Sequence, residues 1–435
     1  MGGVADSFLG TRAGNANTGS FNNFFGYEAG LNNTTAGANS FFGTWAGHDN
    51  LTGDKNSFFG RSAGYSNTSG RLNSYYGYLA GSLNVTGTDN SFFGHLAGSA
   101  GTGGSKNSFF GSGAGTANSA DGNSFFGFDS GLSNSTGSGN SFFGRNAGQA
   151  NTTAGGNAFF GTTSGQANTS GNDNSFFGFG TGVANTTGFS NSFFGFDAGV
   201  SNTGGFENTF VGFLAGTFNT TGIANSFVGN NAGKGNTSGS NITLLGASAD
   251  VTSNNLDHAT AIGADAVVGG SNSIVLGRSD GSDTVRVPGK VVVLTLGAAG
   301  STTLCRNGIF SNEIATCSSS LRYKTNLAPY RSGTEVVRRL RPITFDWKQD
   351  GMHDLGFGAE EVEKIDPLLV TYNDKGQVEG VKYDRISAVL VNALNEQQAR
   401  IESQQQTITR QQHEIEALKR LVCSDHPTTE LCKSN

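Results

Sequence analysis

The sequence predicts a mainly β protein: a trimeric parallel β-solenoid shaft built from repeats of about 17 residues, followed by a small α+β domain that ends in a coiled-coil helix. Three observations predict it. Aromatic pairs recur at a fixed short spacing through the first two thirds of the chain. Glycine is abundant (68 of 435 residues) but is accompanied by 34 phenylalanines held in register, which a disordered glycine-rich chain has no need of. Charge is concentrated at the other end: from Ser318 onward there are 16 basic and 17 acidic residues, 33 of the 60 in the chain.

The pairs fall at Phe24-Phe25, Phe41-Phe42, Phe58-Phe59, Tyr75-Tyr76, Phe92-Phe93 and Phe109-Phe110, a spacing of 17. After one step of 16 the spacing resumes at Phe125-Phe126 and continues through Phe193-Phe194, Phe210-Val211, Phe227-Val228 and Leu244-Leu245 to Ala261-Ile262. A period of this length marks a solenoid. It is too short for a helix pair and carries no helical apolar stripe, so each copy reads as one coil with a short strand. Neighbouring side chains on a strand point to opposite faces, so a doubled phenylalanine requires both faces to be covered. One ring fills the coil and the other is expected to pack on neighbouring chains, which predicts a trimer. Glycine after each pair and in the Ala-Gly step, with Asn-Thr-Thr-Gly, supplies turn chemistry. At one strand spacing per coil the shaft would be roughly 75 Å long.

The shaft is expected to span residues 1–280, and its copies read as nearly featureless: an array of similar turns with no pocket. Asn-x-Ser/Thr triplets such as Asn33-Thr34-Thr35 recur because the turn recurs and are read as turns, not glycosylation acceptors. Gly101-Thr102-Gly103-Gly104-Ser105-Lys106 lacks the spacing of a phosphate loop. The six histidines, His48 among them, form no ligand spacing, and no cofactor or metal is expected. A net charge of −6 without a basic block gives no support to nucleic-acid binding. No run is apolar enough to span a membrane. Met1 to Asp6 lacks the features of a secretory signal, so either export follows another route or the chain lacks its start.

Residues 281–317 lose the period and read as a neck, with strands at Thr284 to Val287 and Val291 to Leu296 and a hairpin from Cys305 to Cys317. The cysteines form two local pairs, Cys305 with Cys317 and Cys423 with Cys432. Neither has a zinc spacing, and disulfides are expected, with reduced thiols the alternative. Residues 318–385 read as a small α+β domain: a helix from Thr334, strands at Ile343 to Trp347 and Leu355 to Gly358, a helix from Ala359, and a hairpin around Asn373 to Gly376. A helix follows, its segment 386–422 carrying Leu394, Ile401, Ile408, Ile415 and Val422 at strict seven-residue spacing. Leu390, Gln397, Gln404, Gln411 and Leu418 form the partner seam, the mark of a coiled coil with polar layers. Residues 423–435 form a tail with a cysteine loop.

Two resemblances refine this reading. Ala259 to Ala266 and Asn272 to Gly277 resemble the head repeat of trimeric autotransporter adhesins, which implies a threefold bundle of β-rolls. Ser319-x-x-Arg322-x-Lys324, Leu355-Gly356-Phe357-x-Ala359-Glu360-Glu361-Val362 and Val381-Lys382-Tyr383-Asp384 resemble the intramolecular chaperone domain of endosialidase tailspikes, a family of self-cleaving serine peptidases. That resemblance implies a homotrimeric tail fibre or adhesin-like protein, at the cell surface or on a phage virion. In such a protein the C-terminal domain drives trimer folding and then cuts the Ser318-Ser319 bond. Carried over, Ser319 is the nucleophile and Lys324 the general base, with Arg322 assisting by charge or by binding the oxyanion. The chemistry is coherent, since a serine hydroxyl needs a base to take its proton. Ser320 stands where members of the family often have aspartate. Two alternatives follow: a permanent trimer clamp that does not cleave, and a glycan-degrading tailspike, which would interrupt its repeats with carboxylate-bearing insertions. A host-surface or glycan receptor is implied but not identified.

Overall fold

A computed structural model describes residues 4–288, 304–307, 313–316, 324–349, 351–373 and 375–433. The chain divides into two compact units, Met1–Val292 and Val293–Asn435.

The first unit is a parallel β-solenoid. Each coil contributes a strand of about three residues to one seventeen-stranded sheet, from Ser7–Leu9 to Ser273–Leu276. Register follows the aromatic pairs, with Phe41 opposite Phe58 and Phe42 opposite Phe59. The first aromatic of each pair points inward and is fully buried, as Phe58 and Phe176 are. Successive inward rings stack face to face at 4.8 Å for Phe41 on Phe58, matching the separation of adjacent strands. Burying one such ring contributes about 2 kcal/mol, repeated in every coil. The second aromatic forms a parallel column on the outside, with Phe59 on Tyr76 at 4.7 Å. Within a single chain that outer column stays half-buried or exposed, to 42% at Phe194.

Asparagine contributes more than turns. Two asparagines are buried in most coils, as far as Asn236, and form ladders along the shaft. Asn168 Nδ2 donates to Asn151 Oδ1 at 2.7 Å and to the Gly171 carbonyl at 3.0 Å. In the second ladder the backbone N–H of Asn56 donates to Asn39 Oδ1 at 2.9 Å, and its Nδ2 donates to the Gly70 carbonyl at 2.8 Å. These bonds satisfy the backbone groups that the tight corners would otherwise leave buried and unpaired. Asn33, in one of the formal glycosylation triplets, is completely buried in the first ladder.

The corners use left-handed backbone at glycine and non-glycine positions alike. Gly60 has φ +142°, and a Cβ there would lie 2.3 Å from the Gly77 carbonyl oxygen of the next coil, so only glycine allows the coils to stack this closely. Trp45, Leu79 and Asn146 also have φ near +60°. This conformation costs a non-glycine residue about 1–2 kcal/mol. It is held by ladder bonds such as Trp45 N–H to the Tyr27 carbonyl at 2.9 Å. The 16-residue step is absorbed in the turn between Asn118 and Asn123, leaving Phe109 opposite Phe125. The last coils change to aliphatic residues and gain a second small sheet, Asp250–Val251 with Val267–Val268. Thr284 to Val287, expected as a strand, is outside any ladder, and the second strand expected in the neck, Val291 to Leu296, lies outside the described residues.

In the second unit, strands Leu304–Asn307 and Glu313–Thr316 pair antiparallel. Helix α1 (Gly333–Arg339) precedes the hairpin of Ile343–Asp346 with His353–Gly356. Helix α2 (Ala359–Glu363), a 3-10 turn at Pro367–Leu369 and the hairpin of Val370–Tyr372 with Val378–Val381 follow. Helix α3 runs from Tyr383 to Asp425. Val336, Val362, Leu369, Val370 and Val389 form the core. Only Ile386, Val389 and Ala393 of α3 are buried, all in its first three turns. Beyond them the heptad residues Ile401, Ile408 and Ile415 are exposed at 57%, 45% and 62%. Past α3, a disulfide joins Cys423 to Cys432, with Cα atoms 5.7 Å apart.

Candidate functional site

Of the residues expected to carry chemistry, Lys324 is described and exposed, while Ser318, Ser319, Arg322 and Cys317 lie outside the described residues. The structure therefore bears on the segments downstream of Lys324, which include the second and third motif regions.

Two of those motifs meet. The Tyr383 hydroxyl accepts the Phe357 N–H at 3.0 Å, and the two rings lie 6.0 Å apart. Gly356 leaves room for that hydroxyl: a Cβ there would lie 2.5 Å from its oxygen and would push the tyrosine aside. Lys382 Nζ donates to the Leu368 carbonyl at 3.3 Å, and its N–H donates to the Leu369 carbonyl at 2.7 Å. Glu361, in the middle motif, forms an ion pair with Arg341 through two guanidinium nitrogens. Its carboxyl is held below the ordinary carboxylate range, chiefly by the hydrogen bond from Arg341. These motif residues tie the α2 segment, both hairpins and the start of α3 into one body.

The segment between Lys324 and α1 is anchored by Tyr330, whose hydroxyl donates to Asp366 Oδ2 at 2.8 Å. Burial, followed by the bond to Asp366, pushes the Tyr330 hydroxyl up to about 12. A contact missed by sequence reasoning lies at the N-terminus of α1. Glu396 Oε2 accepts the Thr334 N–H at 2.8 Å, and Oε1 accepts the Gly333 N–H at 3.1 Å. Gly333 lets α1 approach α3, since a Cβ there would lie 2.4 Å from the Ala393 nitrogen. The signal available in the sequence was that glycine opening a helix; its partner is 63 positions away and belongs to no motif.

Among the described residues no cluster of histidine, cysteine and carboxylate side chains is suited to hold a metal, and no helix is long and apolar enough to cross a membrane.

Compared with known proteins, residues 319–371 match the family model described as the chaperone of endosialidase. The match begins at Ser319, includes Arg322 and Lys324, and covers the Leu355 to Val362 motif. No curated protein and no solved structure matches the chain.

Proposed function

We propose that the chain is one subunit of a homotrimeric fibre displayed outside the cell or on a virion. Its C-terminal domain drives trimer assembly and then releases itself by cleaving the Ser318-Ser319 bond. The observation that carries the reading is an unsatisfied surface repeated in both units. The shaft leaves its outer aromatic column partly exposed, and α3 leaves its heptad seam exposed. Both rows are continuous and in register, and copies of the same chain would cover both without new chemistry. The match of residues 319–371 to a chaperone family supports the C-terminal domain as the agent of assembly.

In the cleavage step Lys324 accepts the Ser319 Oγ proton, and Oγ attacks the Ser318 carbonyl carbon. Arg322 stabilises the resulting oxyanion. Collapse expels the Ser319 amine, which takes up the proton, and leaves the Ser318 acyl group esterified to the Ser319 hydroxyl. Water then hydrolyses the ester. A serine hydroxyl is a poor nucleophile until a positioned base takes its proton, so cutting waits on the fold that brings Lys324 to Ser319 Oγ.

The assembly is tested by light scattering on the purified protein. A mass of three shaft copies at micromolar concentration is expected, and a single-copy mass contradicts the reading.

A further inference from the structure

The second to fifth coils depart from the rest of the shaft. Trp45, the one tryptophan in the solenoid, donates its indole N–H to Glu28 Oε2 at 3.0 Å. Glu28 is 7% exposed and pairs with Arg12 Nη1 at 2.5 Å. His48 Nε2 lies 3.6 Å from the same carboxylate, and its Nδ1 lies 2.6 Å from Asp49 Oδ1. The His48 ring stacks on Tyr65 at 4.7 Å, which fixes the plane of Tyr65. Burial opposes ionisation of Glu28, yet hydrogen bonds from Tyr27 and Trp45 and the charges of Arg12 and His48 outweigh it and hold the carboxyl below its usual range. Glu28 is thus saturated, and its role is to orient the indole.

The ordered rings border a cavity of about 290 Å³ lined by Trp45, Ser62, Tyr65, Leu79, Ser82 and Leu83. That is close to the lower limit of about 300 Å³ for small-molecule sites. Its lining combines the Trp45 and Tyr65 rings and two leucines with two serines that are themselves nearly buried. Ser82 donates its hydroxyl to the Ser99 carbonyl at 3.0 Å. Beside it, the exposed Arg61 guanidinium is stacked 5.3 Å from the Trp45 ring centre and 5.9 Å from that of Tyr78. Arg61 makes no ion pair among the described residues, so its planar fork of donors is positioned and uncommitted.

We propose that this corner is a binding site for an acidic saccharide. A sugar ring combines a face of C–H groups with a rim of hydroxyls, matching aromatic and leucine walls beside the donors of Arg61. A carboxylate on the sugar would take the vacant fork of Arg61, while leucine at Leu79 and Leu83 excludes a ligand that is polar throughout. Recognition depends on one chain's coils and does not rest on trimer assembly or self-cleavage.

The test titrates the full-length protein with two acidic probes, hyaluronan tetrasaccharide and trigalacturonate, and with the neutral chitotetraose. Tryptophan fluorescence and calorimetry report binding, and a Trp347→Phe background assigns the optical signal to Trp45. Saturable binding of at least one acidic probe is expected, at least tenfold tighter than chitotetraose. It should weaken at least tenfold in Arg61→Gln and in Leu83→Glu, both surface substitutions, with the thermal midpoint checked in each. Absence of saturable binding to both acidic probes, undiminished binding by folded Arg61→Gln, or equal binding of chitotetraose overturns the proposal.

Discussion

The carboxylate of Glu396 accepts the Thr334 N–H at 2.8 Å and the Gly333 N–H at 3.1 Å, so α3 closes the N-terminus of α1. The N–H groups at a helix start have no partner within the helix, and a negative charge there also meets the positive end of the helix dipole. The Glu396 carboxyl is held below its usual range, first by the Thr334 side chain and then by these N–H groups. A carboxyl whose pKa falls on folding contributes fully above its unfolded pKa, and the contribution is lost as pH falls through the folded one. The thermal midpoint of the C-terminal unit, followed by helical ellipticity, should therefore fall on acidification below about pH 4. Glu396→Gln should lower the midpoint at neutral pH and reduce its acid dependence; the same acid slope in both proteins would remove this role.

Two glycines separate steric need from backbone need. A Cβ at Gly60 would meet the Gly77 carbonyl oxygen at 2.3 Å, whereas at Gly122, with φ +69°, nothing lies within 4 Å. Gly122 belongs to a row in which Ala38, Leu72 and Ala224 hold the same left-handed conformation. Gly60→Ala should destabilise the shaft by about 3 kcal/mol or more, and Gly122→Ala by about 1 kcal/mol. Thermal unfolding of both variants measures the contrast.

Tyr75 occupies the inward aromatic row where its neighbours Phe58 and Phe92 are phenylalanine. Its hydroxyl is buried beside Asn90 without a well-formed hydrogen bond, and burial pushes its pKa up. Tyr75→Phe should stabilise the shaft by about 1 kcal/mol, seen as a raised thermal midpoint.

The aromatic pairs made the coil count and strand register legible, because a ring must sit over the same ring one coil on. They also indicated that one ring per coil stays outside the core. The buried ladders were less legible, since asparagine is read from sequence as a turn residue and its pairing with another asparagine 17 positions away needs the coil to be closed first. Left-handed Trp45 and Leu79 were hidden for a similar reason: neighbouring coils impose their backbone, against local preference. Averaging over copies concealed the groove beside Trp45, although a lone tryptophan and Arg61 in an otherwise low-charge repeat were visible signals. Around the proposed dyad, the tyrosine that braces Phe357 lay in a legible motif, whereas Glu396 acts across a long sequence separation that no local pattern encodes.

The measurement that bears most directly on the account is intact-mass analysis, under denaturing conditions, of purified wild type beside Ser319→Ala and Lys324→Ala. The account predicts two wild-type fragments meeting between Ser318 and Ser319, and one uncut chain in each variant, still assembled under native conditions. An uncut wild-type chain in the assembled trimer, or cleavage that persists in Ser319→Ala, would contradict it.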